Sequence, residues 1–344
     1  MLKRLHSLAT VTTFFIFLTA CGFSGDDTSS LDAERQERSD EIHADLLKIL
    51  KDRFPNDEGN VWAESKMHLE DDWIVQTPEG LWGIAAKDIP TTIDCALNDS
   101  RCDKEFRRLT CETNADCSAT FRCESVSATM KSPADQPKSL CISHSDTVFE
   151  RTYKTMIEAE HELDYVSLSP PTGQFRTAML NALSYLSYRD EIPKIRLLFS
   201  GNVSALPNFL YPTDKALRSI ETDLAAITPH AAKVPLNLAW LQDGGLSWNH
   251  AKIVVADGDH AISGGHNHWA PDYLVSNSVF DLSMEYRGEA AAASRDFVNE
   301  LWKHARFVST NNASGGKFAA FEEPWKTPGE TQGISLGRLG KYGA

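Results

Sequence analysis

Residues 248–267 read WNHAKIVVADGDHAISGGHN, and the rest of the chain is arranged around them. Within this stretch His250-x-Lys252 is followed, after four residues, by Asp257 and then by Gly264-Gly265-x-Asn267. The apolar run from Ile253 to Ala256 reads as a buried strand that stops at the turn Asp257-Gly258-Asp259. His250 and Lys252 are two apart, so on extended backbone their side chains point to one face. An imidazole that changes charge near neutral pH then lies beside a fixed cation. Gly264 and Gly265 let backbone approach a bulky anion, and the Asn267 amide adds a hydrogen bond. A lone histidine or lysine would be structural or solvated; it is the joint spacing that points to a phosphate ester.

From residue 146 onward the chain alternates between helical and strand patterns. Helices are predicted over 147–162, 175–187, 213–227 and 289–304, and strands over 163–168, 194–199, 236–241 and 279–286. Phe175, Met179, Leu180, Leu183 and Leu186 share one helix face, and Thr213 is placed to cap the next helix. Strands separated by helices imply an α/β fold, a mixed to mostly parallel sheet with helices on both faces. Strand ends near Pro170, Ser200 and Leu241 would then supply loops around His250.

Toward the N-terminus, residues 31–54 carry Ile42, Leu46, Leu47, Ile49 and Leu50 in an amphipathic pattern that ends at Pro55 and Gly59. The segment from Trp73 to Gly83 reads as a packed, Trp-anchored loop. Cys95, Cys102, Cys111, Cys117, Cys123 and Cys141 fall in a polar stretch, residues 92–145. An even number in an exported chain predicts disulfides, with the pairing left open, that stabilise a loop too polar for its own core. Zinc is the weaker reading, since no C-x2-C pair is present.

Lys3 and Arg4 precede an apolar stretch too short for a membrane span, so residues 1–20 read as a targeting segment. Leu18-Thr19-Ala20-Cys21 resembles the lipobox of bacterial lipoproteins, which implies acylation of Cys21, export, and anchoring at the outer membrane or cell surface. The composition, 42% hydrophobic and 24% charged, is that of a globular protein. The net charge of −14 becomes −16 without residues 1–20, because Lys3 and Arg4 leave and no acid does. Such a surface repels the phosphate backbone of nucleic acid and counts against DNA as a partner. The chain thus divides into a signal (1–20), a tether (21–30), a helix with a Trp-rich segment (31–91), a cysteine-rich insertion (92–145), the α/β part (146–306) and a tail (307–344).

The pattern H-x-K-x4-D followed by GG-x-N resembles the HKD motif of the phospholipase D superfamily. SPPTGQF at 169–175, IRLLFSG at 195–201, GHNHWAPDYL at 265–274, FDLSMEYRG at 280–288 and FVNELW at 297–302 follow the N-terminal half of the secreted bacterial enzymes in order. So does the earlier W-x2-QTP-x3-WG at 73–83. The resemblance implies that His250 attacks phosphorus and forms a phosphohistidine, with Lys252 and Asn267 holding the non-bridging oxygens. It matches Asp281 to the carboxylate that hydrogen-bonds the nucleophilic histidine. Asp257 belongs to the motif but reads as a residue that pins the turn. The family needs no metal or other cofactor. His260, His266 and His268 raise a metal-bound alternative, but lack the H-x3-H spacing or carboxylates that a site would need.

One feature departs from the family. Its sites need two motif halves, because a second histidine protonates the leaving alcohol. Residues 1–344 hold one H-x-K-x4-D, and residues 333–344 resemble the connector between halves. The expected activity is therefore release or transfer of a phospholipid headgroup, with a second half supplied in trans. The alternatives are a homodimeric single-motif nuclease or phosphodiesterase, and a catalytically silent lipoprotein that binds phosphate headgroups.

Overall fold

The computed structural model describes residues 28–77, 111–116, 122–126, 138–142, 147–200, 212–227, 234–241, 249–268, 279–312 and 326–339. The targeting segment with Cys21, and Cys95, Cys102 and Cys117, lie outside the described residues. The chain forms two compact units that divide after Pro55. Helix α1 (Thr28–Arg53) belongs to the first. Among the described residues no helix is long and apolar enough to cross a membrane.

The second unit is built on a mixed sheet whose strands lie in the order β11-β7-β6-β5-β8-β9-β10-β1-β12, with β2 also paired to β10. In chain order these are β1 (Trp62–His68), β2 (Ile74–Thr77), β5 (Glu162–Ser167), β6 (Lys194–Phe199), β7 (Leu236–Trp240), β8 (Ile253–Ala256), β9 (His260–Gly264), β10 (Asp281–Gly288), β11 (Arg306–Thr310) and β12 (Thr331–Leu336). Among the described strands, parallel pairing is confined to β5–β6 and β6–β7, where α3 (Gly173–Leu186) and α4 (Thr213–Ile227) provide crossovers. The remaining pairings are antiparallel. A separate hairpin, β3 (Arg122–Val126) with β4 (Lys138–Ile142), lies in the cysteine-rich stretch, where Cys111 and Cys123 form a disulfide. Cys141 pairs opposite Cys123 along the hairpin backbone.

Alternation along the central strands separates two chemistries. Leu163, Tyr165, Ile195, Leu197, Phe199, Leu236, Leu238, Trp240 and Val254 join one apolar core with residues of α2 (Thr147–Ile157), α3 and α4. The alternate positions Asp164 and Arg196 face each other across β5–β6 on the opposite side, which α5 (Glu289–Lys303) covers with Trp302 5.8 Å from the guanidinium. There the guanidinium donates to both oxygens of Asp164, at 2.6 and 2.5 Å, and lies 3.1 Å from Glu162. Burial and the Asp164 charge push the Glu162 carboxyl well above the usual carboxylate range.

The turn joining β8 to β9 has positive φ at both central residues, 53° at Asp257 and 65° at Gly258, the geometry of tight hairpins. Asp257 also accepts the backbone N–H groups of Glu160, His161 and Glu162 at 2.7–2.8 Å. This clamp explains why α2 stops at Ile157, short of the expected 162: the next N–H groups are committed to a carboxylate instead of to a helix. Asp257→Ala should cost about 2–3 kcal/mol of stability. Urea unfolding measures that loss, with turnover per folded molecule unchanged; the reverse result would put Asp257 in the chemistry.

Candidate active site

One end of the sheet gathers the polar groups of the motif. The carboxyl ends of β5, β6 and β7 finish there, and antiparallel β8 begins there, since Ile253 pairs with Val166. β9 ends and β10 begins at the same edge, with Gly264 opposite Ser283. The carboxyl ends of parallel strands are where such sheets bind ligands. Asp257 closes the other end of β8 and is not brought to this site.

His250 is held by its neighbour. The backbone N–H of Asn249 donates to Leu241 at 3.1 Å, and its amide bonds the carbonyl of Ser167 at 3.4 Å and the N–H of Ala251 at 3.0 Å. Asn249 is buried, so the backbone on either side of His250 is fixed while the imidazole is exposed. Sequence reasoning missed Asn249, whose role depends on contacts with β5 and with the end of β7. The side chain of Lys252, itself buried, folds back so that Nζ lies 2.9 Å from Nδ1 and 3.2 Å from Nε2 of His250, and donates to the His250 carbonyl at 2.9 Å. The expected convergence of these two side chains is found, although both precede the strand.

Partial burial and the nearby ammonium hold His250 below the usual histidine value, against an opposing effect of Asp281. Burial likewise brings Lys252 down to about 8, again opposed by Asp281. The Asp281 carboxylate thus acts on both members of the pair from the first residue of β10.

The glycine pair serves another purpose than the one expected. A Cβ on Gly265 would stand 1.8 Å from Oδ1 of Asp281, and one on Gly264 would stand 2.4 Å from the carbonyl of Leu282. The backbone approach they permit is to β10 and its carboxylate, so they seat Asp281. Asn267 follows directly, between two buried histidines. Thr77 donates its hydroxyl proton to Val279, so it accepts from Nε2 of His266 at 2.8 Å, and Ser283 donates to Nδ1 at 2.7 Å. His266 is pushed down to about 3 by burial first and His268 second, and ties β2 to β10 as a neutral ring. His268 is bonded at Nδ1 by Tyr165. His260 lies between Glu158 (2.9 Å) and Glu285 (2.7 Å), whose hydrogen bonds raise its pKa against the cost of burial. The three histidines that crowd together in sequence thus have separate partners. Among the described residues no group of three or more histidine, cysteine or acidic side chains is placed to hold a metal ion.

No family model matches the chain. It is 30% identical over 212 residues to phospholipase D of Streptomyces antibioticus, a match covering 56% of this chain and 37% of that protein. Among solved structures it is similar to Nuc, a phospholipase D family member from Salmonella typhimurium, with 11% identity, TM-score 0.30, and coverage of 45% of this chain and 86% of that one. It is also similar to phosphatidylserine synthase of Haemophilus influenzae, with 12% identity, TM-score 0.32, and coverage of 45% and 35%. The chain spans little more than a third of the length of that curated relative, and it is similar to the phospholipase D superfamily in that sequence match and in an H-x-K-x4-D segment that puts an imidazole and an ammonium together.

Proposed function

We propose that the protein is a phospholipase D-type phosphodiesterase that removes a phospholipid headgroup, or passes the phosphatidyl group to another alcohol, through a phosphohistidine at His250. The observation that carries this reading is an exposed imidazole with a lysine 2.9 Å away, its pKa lowered by partial burial first and by that ammonium second. A neutral ring has the lone pair that attacks phosphorus, and the ammonium offsets charge on the non-bridging oxygens as the P–O bond to the headgroup breaks. Asn267 adds a donor to the same oxygens, and Asp281 supports the positive charge left on the phosphorylated ring. The leaving alcohol takes its proton from a second imidazole, which then draws a proton from the water or alcohol that releases His250. That imidazole belongs to a second motif half, on a partner chain or a second copy. Acylation of Cys21 after export would hold the site at a membrane carrying the substrate, and the net charge of −14 favours lipid over nucleic acid.

The test is an assay of the purified chain on phosphatidylcholine vesicles and on DNA, beside His250→Ala. Headgroup release that the variant lacks supports the proposal. DNA cleavage with no headgroup release would replace it with a homodimeric nuclease.

The two lowered pKa values set the pH dependence. His250 must be unprotonated to attack, so turnover rises through a pKa below 6.5. Lys252 must be protonated, so turnover falls again near pH 8. In Lys252→Arg the cation no longer titrates, and the alkaline limb should disappear from the residual activity. A limb that stays near pH 8 would assign that titration to another group.

A further inference from the structure

Tyr165 is fully buried, and a buried phenol needs an acceptor for its proton. Among the described residues the partner of this hydroxyl is Nδ1 of His268. The phenol therefore donates, Nδ1 accepts, and the single proton of the neutral ring sits on Nε2. Neutrality follows from burial and, second, from the charge of Lys252, which together push His268 down to about 3. The ring is also clamped. Phe175 stacks on it at 5.1 Å and 22°, Tyr165 meets it edge-on at 5.0 Å, and the His268 carbonyl accepts the N–H of Thr172 at 3.1 Å.

Its place in the sheet puts this ring beside the candidate site. Tyr165 lies opposite Val254 across β5–β8, and Lys252 stands just before β8, where its carbonyl accepts the N–H of Gly264 at 3.2 Å. The imidazole that Tyr165 holds at Nδ1 is thus near enough for the Lys252 charge to act on it, and its one proton is on the other nitrogen. An N–H donor and an ammonium that act on each other only by repulsion suit one shared anion. We propose that His268 is a substrate-binding residue, whose Nε2–H donates to a non-bridging phosphate oxygen also held by Lys252. The inference rests on the reading of His250 and Lys252 as a phosphodiester site. It gives a role to a histidine whose neighbours in sequence suggested only a metal.

The experiment titrates inorganic phosphate into the full chain, followed by calorimetry and by long-range 1H–15N spectra of the imidazoles. The free protein should show His268 protonated at Nε2 and bare at Nδ1, with the Nε2 signals moving as phosphate binds. His268→Phe keeps the stack on Phe175 but removes the donor, and should weaken phosphate binding roughly 10-fold, the size of one hydrogen bond to a charged group. His268→Gln, whose amide offers Tyr165 an acceptor and phosphate a donor, should recover most of that loss. If His268→Phe fails to fold, the glutamine variant and the wild-type spectra decide. Protonation at Nδ1, or variants binding as tightly as wild type while Lys252→Ala loses phosphate, would overturn this inference alone. Wild type that binds no phosphate would overturn it together with the reading of the site.

Discussion

His250→Ala should lower phosphodiester turnover by roughly four orders of magnitude or more, because it removes the atom that bonds to phosphorus. Folding should be unaffected, since the side chain is exposed and the adjacent backbone is held by Asn249. Lys252→Ala should cost less, roughly 100- to 1000-fold, the effect of losing one charge-stabilising donor. Steady-state assays on a soluble diester measure both. A loss of only about 100-fold in His250→Ala is the size of a proton-transfer role, and would move the nucleophile elsewhere.

The second large effect concerns the fold. Arg196→Ala should destabilise the protein by about 3–5 kcal/mol, because it leaves buried carboxyl groups without their cation. Asp164 and Glu162 are 1% and 2% exposed, so water cannot replace the guanidinium. Replacing the ion pair together, as Asp164→Leu with Arg196→Met, should come close to wild-type stability, since the desolvation of both charges disappears with their attraction. Denaturant midpoints for the three proteins decide this. A double variant as unstable as Arg196→Ala would mean that the pair itself, not its desolvation balance, holds β5 to β6.

The central strands were legible because short, largely apolar runs buried on both faces dominate them, even with Asp164 and Arg196 inside; β6 (KIRLLF) and β8 (IVVA) fall where the sequence places them. The rim was not. β1 reads WAESKMH, half polar, and is a strand because β12, over 260 residues later, pairs with it from Trp62↔Leu336 to Met67↔Thr331. Ile74–Thr77, expected in a loop, is a strand for the same reason, being paired to β10. β9, with its sequence HAISG, is set by the hairpin turn and not by its own composition. These antiparallel additions leave the sheet mixed, with its parallel part limited to three strands.

The site was legible where spacing along extended backbone determines geometry, as with His250 and Lys252. It was misread where the space beside a residue is filled by a distant part of the chain. Gly264 and Gly265 looked like room for an anion, yet the room is taken by Leu282, Ser283 and Asp281. Tyr165, Thr77 and Ser283 gave no signal, because each matters through a single contact to a histidine more than fifteen residues away in sequence.

The most direct test is to quench a reaction of the chain with labelled phospholipid in the first turnover, then map the label by mass spectrometry. The account predicts a phosphatidyl group on His250, formed before headgroup release is complete, absent in His250→Ala, and lost on adding water or alcohol. Turnover with no labelled His250 at any time, or with the label on another residue, would contradict it.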